Sequence, residues 1–297
     1  MTKKKLVEVI SRNQIPIPEE ENVYVRSRAP VRISFGGGGS DLTHYFVNRK
    51  GAVINTTISM YSHSVLKKRD DPKIVISSLD LGETLKANNL SELLKINSPF
   101  GLIQSILKAM RPDFGFELNI HSDFPMKSGL GGSAAVSAAV LGCFNQLRQD
   151  KWRSHEIAEI AFQAERLHLG ISGGWQDQYA TVFGGFNFME FEMDETVVTP
   201  LRIPREILLE LEESLILVDT DLNHESGDIH DSQRLSMKKE EVKGLVDDAV
   251  ELVFSMRNLL LRGKLREFGS CMNSAWQIKR KLSSKITSEF LDDRYQK

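Results

Sequence analysis

The chain has 297 residues, 41% hydrophobic and 26% charged, enough for two modest domains or one large one. Lys plus Arg number 38 against 40 Asp plus Glu, so the basic excess expected of a nucleic-acid binder is lacking. Cys143 and Cys271, the two cysteines, suggest neither a disulfide scaffold nor a zinc site and fit a reducing cytoplasm; the N-terminal apolar run is too short for a secretory signal, and no run is long enough for a membrane span.

In chain order, residues 1–22 read as an N-terminal extension, because "PIPEEEN" joins two prolines to an acidic cluster. The fold proper is expected to begin near Val23 with the strand-like "VYVRSRAPVRISF". "GAVINTTISMYSHSVLKKR", "KIVISSL" and "FGFELNIHSDF" are β-prone runs that predict an antiparallel-leaning sheet. Helices are predicted in "SPFGLIQSILKAM", in the small-residue run "SAAVSAAVLGCFNQL", and in "HEIAEIAFQAERLHL" with Ser154 as its cap. A second strand group, "FGGFNFMEFE" and "ESLILVDTD", precedes a mostly helical tail from about Ser232. No internal repeat is present, and grouped strands with intervening helices predict α+β layers rather than a βαβ alternation.

Two glycine clusters carry the chemistry. In "SDFPMKSGLGGSAAVSAA" a phosphate-binding P-loop fails, because Gly132 is followed by Ser133 and Ala134 rather than by lysine. A dinucleotide fingerprint matches at Gly129, Gly131 and Ala134, but the helix runs on into another helix, with no second parallel strand and no acidic residue for a ribose. What remains is a bare turn feeding a helix whose first amides can face a polyphosphate. The alternative is that the small residues let two helices pack closely. The second cluster, "RAPVRISFGGGGSDL", sets Gly36 to Gly39 after a strand carrying Pro30 and Arg32. Four glycines in a row cost backbone entropy, which points to close approach of a ligand.

"APVRISFGGGGSD" followed by "PMKSGLGGSAA" resembles the first two signatures of the galactokinase, homoserine kinase, mevalonate kinase and phosphomevalonate kinase (GHMP) superfamily. Within it, "RAPVRISFGGGGSDL" and "LGISGGWQDQYATVFGGFNFMEF" are most similar to bacterial D-glycero-D-manno-heptose 7-phosphate kinases. The resemblance covers Val23 to Phe191 well and the remainder loosely. It implies an α+β, two-domain GHMP-kinase-like fold: an N-terminal domain like domain 2 of ribosomal protein S5 at 23–195, and a ferredoxin-like C-terminal domain at 196–297. A third glycine-rich signature of the family is not found in the tail, so the C-terminal domain is expected to be incomplete and the chain truncated.

The implied activity is transfer of the γ-phosphate of ATP, with Mg2+, to the anomeric hydroxyl of a heptose 7-phosphate, in making nucleotide-activated heptose for surface polysaccharide. Other small-molecule kinases of fucokinase or galactokinase type, or a non-catalytic nucleotide- or sugar-binding homologue, are the alternatives. Expected partners are a small-molecule sugar or sugar phosphate and a second copy in a homodimer, with no nucleic acid and no membrane.

The resemblance also implies roles by position. Pro125, Lys127, Ser128, Gly129, Leu130, Gly131, Gly132, Ser133 and Ala134 would hold the nucleotide phosphates, and Ser133 with Glu165 the magnesium ion. Asp177, read as lying in a glycine-rich turn, would be the general base and Arg32 its basic companion. Gly38, Gly39, Ser40, Asp41 and Gly174 would face the sugar. Galactokinases carry Glu and His where Gly38 and Gly39 stand, which disfavours galactose. Without the resemblance, Glu165 reads as a solvated helix residue, Arg32 as a strand salt bridge, Asp41 as a helix cap and Asp177 as a turn former. His224, Glu225, Asp228 and His230 fit no common zinc spacing and read as a substrate-facing loop.

Overall fold

The structure, a computed structural model, describes residues 6–9, 24–220, 235–236, 239–283 and 285–296. His224, Glu225, Asp228 and His230 lie outside the described residues.

The strands and helices run β1 (Leu6–Val9), β2 (Tyr24–Gly36), α1 (Thr43–Phe46), β3 (Gly51–Lys68), β4 (Ile74–Ser78), β5 (Glu83–Ala87), α2 (Leu90–Leu93) and α3 (Gly101–Met110). They continue with β6 (Phe116–Ser122), α4 (Gly132–Leu147), α5 (Ser154–Gln163), a π-helical turn over Ala164–His168, α6 (Gln176–Phe183), β7 (Phe186–Phe191) and β8 (Thr196–Pro200). Then come α7 (Arg205–Ser214), α8 (Glu240–Leu261), α9 (Leu265–Leu282) and α10 (Glu289–Gln296). The result is an α+β fold on one mixed sheet in the order β1-β2-β3-β6-β4-β5, with β7 on β3 and β8 on β7.

Strand β3 organises the sheet. Its 18 residues pair along one side with β2, while the other side takes β7 at Gly51–Thr56 and β6 at Ser62–Lys68. The pairings β2–β3, β3–β6, β3–β7, β4–β5 and β7–β8 are antiparallel, whereas β1–β2 and β4–β6 are parallel. Strand β1 falls inside the stretch that the sequence sets apart as an extension. The domain boundary expected near 195 falls within the β7–β8 hairpin, so the sheet is continuous across it.

Helix α4 carries almost no amphipathic pattern because it is enclosed: Ala134, Ala135, Ala139, Val140, Leu141 and Cys143 are all fully buried. Its small residues bring it close to β2, where a Cβ on Gly142 would lie 2.4 Å from Ser27 Oγ. On the other half of the sheet, Val246, Val253, Met256 and Leu260 of α8 and Phe268 of α9 join a core with Phe35, Ile54 and Phe188. That core seats the C-terminal helices against the Gly36–Gly39 cluster; a Cβ on Gly36 would lie 3.0 Å from the Met256 sulfur. The Tyr45 hydroxyl reinforces the junction by donating to Asp247 Oδ1 at 2.6 Å.

Two local expectations are corrected. Ser154 is the first residue of α5 rather than its cap, and the first turn is closed by Glu156, whose Oε2 accepts from the Arg153 N–H at 2.8 Å. "ESLILVDTD" begins in α7 and then runs without helix or strand from Leu215 to Thr220. Its apolar residues read as a strand, but a strand needs a ladder partner, and Ile216, Leu217 and Val218 stand 88%, 63% and 64% exposed.

Candidate active site

The mouth of α4 is built from backbone. Gly129 and Gly131 take positive φ of 75° and 76°, a region open to glycine at little cost, and Lys127 beside them also lies at φ 61°. Gly131 is the N-cap and no side chain caps the helix, whose first bond runs from the Ala135 N–H to the Gly131 carbonyl at 3.1 Å. The preceding amides therefore form an uncapped, partly positive helix end suited to an anion. Pro125, Lys127, Ser128 and Gly129 are exposed along the approach, and Leu130, Gly131 and Gly132 are half-buried. Ala134 is fully buried, so its main chain alone is available to a ligand.

Arg32 reaches this loop through a bulge in β2. The register with β3 shifts between Pro30 and Arg32, a place where a residue without an N–H donor interrupts the ladder. The Arg32 N–H donates instead to the Leu130 carbonyl at 2.9 Å, and Nη1 donates to the Gly129 carbonyl at 3.0 Å. Asp177 meets the same guanidinium, Oδ1 accepting from Nε at 2.8 Å and lying 2.6 Å from Nη2. It occupies the first turn of α6 rather than a glycine-rich turn. Gly131 lies directly over the pair; a Cβ there would come 3.4 Å from the Asp177 carboxyl carbon and 3.5 Å from Arg32 Cγ.

Ser133 and Glu165 also converge. The Ser133 hydroxyl donates to Glu165 Oε1 at 2.6 Å, and Gln178 Nε2 donates to Oε2 at 2.8 Å. Glu165 sits in the π-helical turn and is 3% exposed, so it is not the solvated residue that its local sequence suggests. Such turns recur at functional sites. Its neighbour Arg166 places Nη1 3.2 Å from the same Oε1 and donates to the carbonyls of Ile171 and Gly174, fastening the following loop. Two hard oxygen donors at a helix end suited to an anion fit magnesium, which takes few protein ligands and keeps water and phosphate oxygens.

The Gly36–Gly39 cluster and the two residues after it divide into a structural part and an open part. Ser40 is fully buried; its Oγ donates toward the carbonyls of Gly37 and Ala52 and accepts from the Ala52 N–H, so it holds the loop to β3 rather than facing a sugar. Asp41 is 3% exposed, with Oδ1 accepting from Gly39 N–H at 3.0 Å and Oδ2 from Gln176 N–H at 3.2 Å. Gly174 backs this carboxylate so closely that a Cβ would lie 1.8 Å from Oδ2. Gly39 is buried and Gly38 half-buried, and a Cβ on Gly38 would meet Gln176 Nε2 and Lys279 Nζ, each at 3.7 Å.

Lys279 and Gln176 were not singled out by the sequence. Lys279 comes from α9, in the stretch that the sequence predicts only as a mostly helical tail, and Gln176 carries no charge to mark it. The Lys279 side chain is open to solvent, yet protein surrounds the ammonium closely enough that burial lowers its pKa; Arg32 lowers it further, while Asp41 and Asp177 oppose the shift.

The chain is similar to known proteins in sequence and in fold. Residues 98–185 match the family described as GHMP kinases N terminal domain. The D-glycero-alpha-D-manno-heptose 7-phosphate kinase of Campylobacter jejuni is 34% identical over 281 residues, covering 91% of this chain and 81% of that protein. The bifunctional fucokinase/GDP-fucose pyrophosphorylase of Arabidopsis thaliana is 27% identical over 89% of this chain, which spans 26% of that longer protein. The crystal structure of a D-glycero-D-manno-heptose 1-phosphate kinase from Bacteroides thetaiotaomicron superposes with a TM-score of 0.72 at 28% identity, covering 86% of this chain and 79% of that one. Fold and site together define a phosphotransferase that uses an alcohol as acceptor. The chain belongs to the GHMP kinase family.

Proposed function

We propose that the protein is an ATP-dependent sugar kinase that phosphorylates the anomeric hydroxyl of D-glycero-D-manno-heptose 7-phosphate. The observation that carries the reading is the Arg32–Asp177 pair lying beneath Gly131, which sets a carboxylate beside the loop suited to the donor phosphates. The amides entering α4 hold the donor phosphates. Arg32, tied to both Gly129 and Asp177, keeps positive charge where the transferring phosphoryl becomes most negative. The Asp177 carboxylate takes the proton of the acceptor hydroxyl as its oxygen bonds to the γ-phosphorus, and the bond to the ADP oxygen breaks.

Ser133 and Glu165 would hold magnesium, which when bound neutralises phosphate charge and orients the chain of phosphates. Asp41 and Gly174 position the acceptor loop. The heptose assignment rests on the similarity to the Campylobacter jejuni and Bacteroides thetaiotaomicron kinases.

A coupled ADP-release assay over a panel of free sugars and sugar 7-phosphates tests the proposal. Turnover is expected with the heptose 7-phosphate and to require Mg2+. Turnover of fucose or galactose in its place reassigns the acceptor, and silence across the panel overturns the kinase reading.

A further inference from the structure

Lys279 is held in place from both directions along α9. Phe268, on the preceding part of the helix, packs edge-on against Phe35 with ring centroids 5.4 Å apart, immediately before the glycine run. Leu282, one turn beyond Lys279, is 1% exposed. The helix thereby delivers the ammonium to Gly38, on the acceptor loop, while Arg32 is bound to the donor loop.

The ammonium has unmet bonding capacity. Among the described residues it makes no hydrogen bond or ion pair, only longer-range charge coupling to Arg32, Asp41 and Asp177. Asp41 is committed to two backbone N–H groups, and Asp177 to Arg32. Beside Lys279, the buried Gln176 Oε1 also has no partner among the described residues. An ammonium without a protein acceptor, held over Gly38 beside carboxylates that are already engaged, favours an anionic oxygen from a ligand. Gly38 leaves the required space, because any side chain there would point at both groups.

We infer that Lys279 and Gln176 form the acceptor's seat over Gly38, with Lys279 binding an anionic oxygen of a sugar phosphate and Gln176 a hydroxyl. The inference rests on the kinase reading and adds to it the residues that select a phosphorylated sugar.

The experiment uses the full chain with Lys279→Met, Lys279→Arg and, as a control, Lys281→Met on the exposed neighbouring position. Steady-state constants are measured for ATP and for heptose 7-phosphate. In parallel, lysines are acylated with succinimidyl acetate and mapped by peptide mass, with and without the sugar phosphate. Lys279→Met is expected to raise the acceptor KM at least about tenfold, the worth of a charge-assisted hydrogen bond, with the ATP KM unchanged. Lys279→Arg recovers part of the loss, Lys281→Met matches the unaltered chain, and the sugar phosphate shields Lys279 from acylation where a nucleotide does not.

An unchanged acceptor KM, or an ATP KM that rises in step, overturns the inference. If the unaltered chain turns over no sugar, the kinase reading fails on its own. Labelling then decides the seat: protection by heptose 7-phosphate upholds it and absence of protection removes it. The same labelling decides if Lys279→Met fails to fold.

Discussion

Arg32 and Asp177 lie 145 residues apart in the chain and meet through one oxygen, Asp177 Oδ1, which faces both Nε and Nη2 of the guanidinium. The third nitrogen, Nη1, donates to Gly129, so a single planar group joins the carboxylate to the loop that enters α4. Asp177→Asn keeps the size and the acceptor oxygen but cannot take a proton. Turnover is expected to fall roughly 10²–10⁴-fold while nucleotide affinity, followed by a fluorescent analogue, stays level. Undiminished turnover removes Asp177 from the base role. Arg32→Lys retains charge but not the fork that spans Asp177 and Gly129, so its turnover should fall as well.

Gly174 tests how the Gly36–Gly39 loop is held. A Cβ placed 1.8 Å from the buried Asp41 Oδ2 has no room, and the carboxylate cannot retreat without losing the N–H groups of Gly39 and Gln176. Gly174→Ala should cost about 3 kcal/mol or more, by overpacking combined with the loss of bonds to a buried carboxylate. Denaturant unfolding measures this, and a midpoint within error of the unaltered chain would show that Asp41 does not depend on the bare Cα.

Part of this was legible from residue type alone, since glycine runs announce close approach of a ligand. The roles expected of Arg32 and Asp177 came with the family resemblance, Arg32 in its first signature and Asp177 in "LGISGGWQDQYATVFGGFNFMEF"; by type alone they read as a strand salt bridge and a turn former. Other features lay beyond the string. Ser40 and Asp41 sit in the signature, yet burial against Ala52 and Gly174 makes them fasteners of the loop, because long-range packing decides which polar groups reach solvent. Strand β8 and the irregular course of Leu215–Thr220 depend on which partner a β-prone run finds, and propensity does not encode partners. Lys279 was hidden because its position is set by the Phe268–Phe35 contact, far from the motifs in sequence.

The Ser133–Glu165 pair predicts a metal dependence that can be measured without the acceptor. Their oxygens are 2.6 Å apart at the helix mouth, and Glu165 is also bonded by Gln178 and Arg166. Ser133→Ala removes one ligand and leaves the carboxylate's other partners in place. The Mg2+ concentration giving half-maximal nucleotide affinity should rise at least about fivefold, with little change in melting temperature. Glu165→Gln should raise it further and also lower stability, since the amide faces the Gln178 amide and the Arg166 guanidinium without its charge. An unaltered Mg2+ requirement in both variants would place the metal elsewhere.

Cys143 predicts a pH response unconnected with catalysis. Enclosed by α4 against β2 and β3, its thiol is pushed up to about 12 by burial, with Sγ directed at the carbonyls of Val25 and Ser64. A raised thiol pKa means that the folded state keeps a proton the unfolded chain releases near 9, so folding is favoured less as pH climbs from about 9 towards 12. Below that window the thiol contributes no slope. Iodoacetamide should modify half-buried Cys271 in the native protein at pH 8, slowed because burial also raises its pKa, and should leave Cys143 intact until denaturant is added. Cys143→Ala should flatten the alkaline part of the stability curve while lowering its plateau through the missing sulfur, whereas rapid native labelling of Cys143 would mean that α4 opens far more readily than its packing implies.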